Sequence, residues 1–333
     1  MCRREGSKRA RPSARRRSQA IACLVLASLP LVAVAPAVAD ELLFRLEDPR
    51  GDDSGDGTIR YPLNFYGFRP GDLDLREVVA RRVAGGTEFE ISFTSPVRSP
   101  GGRTIDVGGS QLDDVARFGF YTVNVDLYVD TDRKPGSGGV RTLPGRKAVL
   151  APETAWERAI VLTPRPQEAR SSLKRILLKG LKNELEGSES AGPEVDRMRQ
   201  LLPDEVERHV FFPTRIRVQG RRIRFFVPDE FLGGPARADW SYVVFTTGAD
   251  VDQRFSLAEL VGGTAEEGLF VVPVAPGGAV DRFGGARDDD RGQPPILDLV
   301  VPAGRSQESV LSDYDRTGKR PVVLPGVVPA EGK

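Results

Sequence analysis

From about residue 40 onward, apolar and polar residues alternate with a period of two over much of the chain. Leu42, Phe44 and Leu46 alternate with Leu43, Arg45 and Glu47. Phe89, Ile91 and Phe93 alternate with Glu88, Glu90, Ser92 and Thr94. The longest run is FGFYTVNVDLYVD at 118–130. Its Tyr121, Val123, Val125, Leu127 and Val129 share one face, with Thr122, Asn124, Asp126, Tyr128 and Asp130 on the other. This alternation predicts strands with one buried face. Further strands are predicted at 156–163, 214–219, 222–227, 241–247, 269–274 and 296–301. The 36 Gly and 26 Pro fall largely between these runs, as in a sandwich or barrel of short strands.

One segment breaks the alternation. Across 167–208, Leu173, Ile176, Leu177, Leu181 and Leu185 recur at helical spacing among Lys174, Arg175, Lys179 and Lys182. After a break at 187–193, Val195, Met198, Leu201 and Leu202 continue the helical pattern. The spacing predicts a helical hairpin inserted between two strands, with two uses: to cover a sheet edge or face, or to lie on an anionic surface.

Residues 1–39 read differently. A basic stretch is followed by AIACLVLASLPLVAVAPAVA at 20–39, ending in the small-x-small Ala37-Val38-Ala39. This predicts a secretory signal peptide, with Arg15-Arg16-Arg17 a weak hint of twin-arginine export. The mature chain is then expected in a periplasm or outside the cell. Residues 40–328 are expected to form one β domain and 329–333 a flexible tail. No other stretch is apolar enough to span a membrane.

Composition narrows the chemistry. The whole chain carries a net charge of +1, but eight of its 48 bases and one of its 47 acids lie in 1–39, leaving 40–333 at −6. That is a poor match to duplex nucleic acid, which favours a basic footprint. Both cysteines, Cys2 and Cys23, also lie in the leader, which removes thiol chemistry and disulfides from the mature chain. His209 is the only histidine and no Gly-x-Ser-x-Gly elbow occurs, so a serine triad is poorly supported. Carboxylate pairs for glycoside hydrolysis are assembled by folding and are not visible in spacing.

Three patterns remain as candidate sites. Asp48, Asp52, Asp53 and Asp56 crowd one Gly-rich loop, whose hard oxygens on flexible backbone suit Ca²⁺. The remaining ligands would come from Asp126, Asp130 or Asp132, the last two in DTDRKPGSGG. Arg215, Arg217, Arg222 and Arg224 alternate with apolar residues on both sides of Gly220, predicting a basic ribbon able to grip carboxylates. Trp156, Trp240, Tyr61 and Tyr66 are the aromatic candidates for stacking on sugar rings. Asp288-Asp289-Asp290, flanked by arginines, reads as a solvated turn.

Several segments, in order, carry a resemblance. They are DPRGDDSGDGTIRYP (48–62), FRPGDLDLREVVARRV (68–83), VNVDLYVDTD (123–132), LPGRKAVLAPETAWERAIVLTP (143–164), DWSYVVFTTGADVDQR (239–254) and RFGGARDDDRGQPPILDLVVPAGRSQESVLSDYD (282–315). Together they resemble the C-terminal module of glucodextranase, also appended to amylopullulanase-type enzymes. The helical segment departs from that pattern as an insertion, and here the module follows a leader with no catalytic domain beside it. The resemblance implies a carbohydrate-binding-module-like β-sandwich, a non-catalytic binding or surface-attachment role, and added weight for calcium. It transfers no ligand. The reading is a secreted module that binds an envelope or extracellular polysaccharide and is stabilised by Ca²⁺. The alternative is a structural or protein-interaction module of the envelope, docking through the insert or the arginine ribbon. A polysaccharide-active enzyme is the third.

Overall fold

The computed structural model describes residues 40–63, 67–101, 106–107, 110–185, 191–251, 268–276 and 282–331. The leader and Tyr66 lie outside them. In chain order the first strands are β1 (Glu41–Glu47), β2 (Leu75–Val83), β3 (Gly86–Phe93), β4 (Asp106–Val107), β5 (Ser110–Gln111), β6 (Val123–Asp130), β7 (Ala148–Leu150) and β8 (Arg158–Leu162). After them come β9 (Val210–Phe211), β10 (Ile216–Gln219), β11 (Arg222–Pro228), β12 (Ser241–Gly248), β13 (Val274–Pro276), β14 (Phe283–Ala286), β15 (Ile296–Leu299), β16 (Val322–Leu324) and β17 (Ala330–Glu331). The helices are α1 (Leu112–Val115), α2 (Pro166–Glu184), α3 (Ala191–His209), α4 (Asp229–Leu232) and α5 (Gln307–Leu311).

Two sheets face each other. The first has the order β10-β11-β3-β2-β1-β17 and is antiparallel throughout. The second has the order β15-β12-β6-β8-β9, with only β8 and β9 parallel. Period-two alternation supplies the layer between them. Phe44, Val78, Phe89, Ile91, Ile223 and Phe225 from the first sheet meet Val123, Val125, Leu127, Ile160 and Val244 from the second. Gly220, at φ +60, starts the two-residue turn between β10 and β11, where a side chain would be strained. The fold is an all-β, sandwich-like module with a helical insertion.

The expectation of one buried face per strand fails for the second sheet. Every residue of β6 and β12 is buried. The other face of this sheet is covered by Ala169 and Leu173 of α2, Val206 of α3, Val310 and Leu311 of α5, and Leu150 and Leu324 of β7 and β16. The insert is thus a lid on the outer face of the sandwich. Its helical stripe is only partly buried, since Leu177 and Leu201 remain exposed.

Polar residues on that covered face need partners inside the protein. Asn124 donates to Thr247 Oγ1 and, at 2.8 Å, to the Phe270 carbonyl. Asp126 receives Nε and Nη2 of Arg146 at 2.8 and 3.0 Å. Both members of this ion pair are buried, and Arg146 also donates to the carbonyls of Pro144 and Leu269. Asp126 is therefore spent on a guanidinium and is not available as a calcium ligand, contrary to the sequence expectation.

Two boundaries also shift. The strand expected over 269–274 forms only as a bridge at Val271 and then β13. The tail expected to be flexible enters the first sheet, where Ala330 and Glu331 pair with Arg45 and Phe44. Arg146→Ala leaves Asp126 as a buried, unpaired charge, so urea denaturation should register a loss of about 3–5 kcal/mol. Part of this should return in the double variant Asp126→Asn/Arg146→Met. Equal stability of Arg146→Ala and the parent would contradict the pairing.

Candidate functional site

β1 delivers the chain into the loop 48–60, and this loop is bound tightly to the end of the sandwich. Gly55 N donates to the Leu297 carbonyl at 2.9 Å, and Gln307 Nε2 donates to the carbonyls of Asp52 and Gly55. Gly55 is required there. Its φ is +62, and a Cβ would fall 2.7 Å from the Ile296 carbonyl oxygen. The loop is thereby held against β15, which brings Asp48 and Asp52 to Asp298.

One carboxylate oxygen from each of Asp48, Asp52 and Asp298 lies within 4.8 Å of the other two. Asp48 and Asp298 are buried, the latter completely. Asp298 Oδ2 accepts from Leu75 N at 2.6 Å, while its Oδ1 accepts no well-formed hydrogen bond among the described residues. Both oxygens of Asp48, Oδ1 of Asp52 and Oδ1 of the neighbouring Asp74 are likewise buried and accept no well-formed hydrogen bond among the described residues, Asp48 meeting the Asp298 carboxyl and Asp74 the Thr94 hydroxyl. Asp74 uses its other oxygen to accept from Gly51 N at 2.8 Å.

Burial, followed by repulsion from Asp52 and Asp74, pushes the Asp48 carboxyl up to about 7 against a partial offset from its contact with Asp298. Asp298 is pushed well above the carboxylate range by burial first and then by Asp48 and Asp52. Asp52 and Asp74 are raised mainly by burial as well. Burial and mutual repulsion thus favour the protonated forms of this cluster.

The structure brings together some of the acids singled out in the sequence and separates others. Asp48 and Asp52 belong, but Asp53 does not. Its Oδ2 accepts from the Tyr61 hydroxyl and from Gly71 N. Asp56 is a turn residue, accepting from Thr58 and Gln293. Asp298 and Asp74 were missed. For Asp298 the signal was a lone Asp inside the apolar run PPILDLVVP; Asp74, in GDLDLREVV with Asp72 beside it, offered none.

Asp130 sits elsewhere, with Asp132 and Glu157. One oxygen from each again lies within 4.8 Å of the others. Asp130, at the end of β6, is buried, Glu157 half-buried and Asp132 exposed.

The aromatic candidates separate. Trp240 is buried in the inter-sheet core and cannot stack on a sugar. Tyr61 is bound to Asp53 and packs edge-on against Phe283, so it too is a core residue. Trp156 is half-buried, edge-on to Tyr128, with its indole N–H donating to the Arg141 carbonyl at 3.0 Å.

The arginine ribbon forms as expected, on the uncovered face of the first sheet. Arg217 lies opposite Arg224, and Arg224 opposite Glu90. Arg224 and Arg222 both reach Glu90, and Arg215 lies 4.1 Å above the Phe226 ring. Three of the four are thus occupied within the sheet.

The family described as the SLH-like C-terminal binding module of glucodextranase matches residues 43–326, and the chain belongs to it. It is a family of binding modules, not of catalytic domains. No curated protein matches the chain. Among the described residues no helix is long and apolar enough to cross a membrane.

The carboxylate cluster fixes a sign for pH dependence. Asp48 holds its proton up to about pH 7 in the folded state but from only 3.8 in the ordinary range. Between those values the native state binds more protons than the unfolded chain, so stability falls as pH rises. With chelator present, the melting temperature should drop between roughly pH 5 and pH 7.5. Asp298→Asn, which removes one charge from the cluster, should flatten that slope.

Proposed function

We propose that this protein is an exported, non-catalytic module that attaches to carbohydrate of the cell envelope or extracellular matrix and is locked by a structural Ca²⁺. The reading rests on membership of a binding-module family over nearly all of the β-sandwich. The observation that carries the calcium is the set of five buried oxygens of Asp48, Asp52, Asp74 and Asp298 that accept no well-formed hydrogen bond among the described residues. Burying carboxylates without well-formed hydrogen bonds is costly, and a hard divalent cation with six to eight oxygen positions removes that cost. Asp48, Asp52 and Asp298 would hold the ion, with Asp74 alongside. Backbone oxygens and water would supply the other ligands.

For the glycan, Trp156 is the one tryptophan whose ring reaches the surface, which favours the end of the sandwich around it over the arginine ribbon. The envelope-interaction alternative keeps one observation in its favour, exposed Leu177 and Leu201 on the insert. Deleting 167–208 would not test it cleanly, because that segment covers the second sheet. Leu177→Asp with Leu201→Asp would.

Added Ca²⁺ should raise the melting temperature of the chelated protein, because an ion bound only by the folded state stabilises it by mass action. The shift should grow as pH rises through about 7, the point to which Asp48 is pushed, since the ion displaces protons. It should shrink in Asp298→Asn. Pull-downs on extracted envelope polysaccharide and a glycan array should return a bound class, while the pure protein releases no reducing ends. Blank binding in both assays removes the carbohydrate reading, and sustained release of reducing ends replaces it with an enzyme.

A further inference from the structure

The second carboxylate group differs from the first in one respect that matters. Asp48 and Asp298 are enclosed, whereas the group of Asp130, Asp132 and Glu157 opens to solvent on the Asp132 side. Asp130 is 2 % exposed, and its Oδ2 is buried with no partner among the described residues. Its Oδ1 is already taken by Asp132 N and by Arg133 N at 2.6 Å. Glu157 Oε2 receives Thr131 N at 2.7 Å, and Ser137 Oγ lies between Asp132 Oδ1 and Glu157 Oε1 at 2.9 and 3.1 Å. These bonds hold three carboxylates together; they do not neutralise them. Among the described residues the cation paired with the group is Lys134, 3.6 Å from Asp132 and 76 % exposed, too solvated to offset three negative charges.

The loop that carries Asp132 also lies along Trp156. Gly139 pairs with Trp156 through backbone bonds in both directions. A Cβ at Gly138 would fall 2.5 Å from the Trp156 carbonyl oxygen and 2.7 Å from Glu157 Oε1. Glycine is what allows the loop to come this close. The indole packs against Gly139 and the Glu157 carboxylate against Gly138, so Trp156 is the tryptophan next in the chain to the carboxylate group.

We propose that Asp130, Asp132 and Glu157 bind a second divalent cation of the calcium class, and that its open side takes paired hydroxyl or carboxylate oxygens of a glycan. The glycan part rests on the carbohydrate reading above; the ion does not. With one oxygen each, the three carboxylates supply three of the six to eight oxygens that calcium takes, and the side facing solvent leaves positions that water fills and sugar oxygens can replace. Vicinal hydroxyls and uronate carboxylates are hard oxygen donors of the right type. The ion would also satisfy the remaining oxygen of Asp130.

The test uses terbium(III), which accepts calcium's oxygen ligands and emits when excited through a nearby tryptophan. Trp156 and Trp240 are the only tryptophans in the chain. Chelator-treated protein titrated with terbium should give saturable emission that Ca²⁺ displaces. Asp132→Asn and Trp156→Phe should remove it, and Asp298→Asn should retain it. Asp132 is exposed, so its variant should fold with an unchanged far-ultraviolet spectrum. Absent emission, or emission unchanged in Asp132→Asn, overturns the ion site. For the glycan, Asp132→Asn should weaken binding about tenfold or more through loss of the ion's coordination. Equal glycan binding by Asp132→Asn overturns the ion's part in recognition and leaves the module's carbohydrate reading standing. If no glycan binds the parent, that reading fails while the terbium result stands on its own.

Discussion

Coverage of the second sheet on both faces sets the terms for the rest of the molecule. A sheet wet on its outer side could leave Asn124 and Asp126 in water. Enclosed on both sides, each must find a partner within the protein or carry the cost of desolvation. Asn124 meets Thr247 and a backbone carbonyl, and Asp126 meets a guanidinium that is itself fully enclosed. Asp298 accepts from one backbone N–H. The one strand residue left with a free buried oxygen on this sheet's β15 edge is also where three further aspartates converge. The candidate ion site lies on the other side of this sheet, where Asp298, opposite Thr246, turns toward β2 and accepts from Leu75 N.

What was legible in the sequence follows the same division. Strands with simple alternation, such as β1, β3 and β11, stand where the pattern puts them, because one face of the first sheet is wet. The basic ribbon and its Gly220 turn follow from the same rule. β6 also alternates, but its polar face is enclosed, and nothing in a local window records the second layer that encloses it. The insert's helical period was readable; what it covers was not. Asp48 and Asp52 were visible as a crowded acidic loop. Asp298 comes from 246 residues later in the chain than Asp52 and joins through a loop docked on β15, a pairing that only tertiary structure makes. Asp53, next door to Asp52, points to Tyr61 instead, since neighbours on a turn need not share a direction.

The two carboxylate groups put the same residue type to opposite electrostatic tasks. In the enclosed group burial and repulsion outweigh the offset from Arg76 and raise the carboxyls above their ordinary range. In the open group, backbone N–H and hydroxyl donors spread over Asp130, Asp132 and Glu157 hold the geometry ready at little cost, because water still reaches one side. The first suits a part of the framework, the second a surface that exchanges ligands.

The pairing of β17 with β1 has a mechanical consequence. The two strands are antiparallel, with Ala330 opposite Arg45 and Glu331 opposite Phe44, so the chain enters and leaves the sandwich at the same end of this pair. Their hydrogen bonds lie across the strand direction. A pull applied between the two ends therefore opens them one after another from that end, like a zipper, instead of loading them together in shear. Tension would free the short final strand first, at low force, while the facing sheets and the enclosed carboxylates stay assembled behind it. A module held at a surface in this way gains slack before it loses its fold.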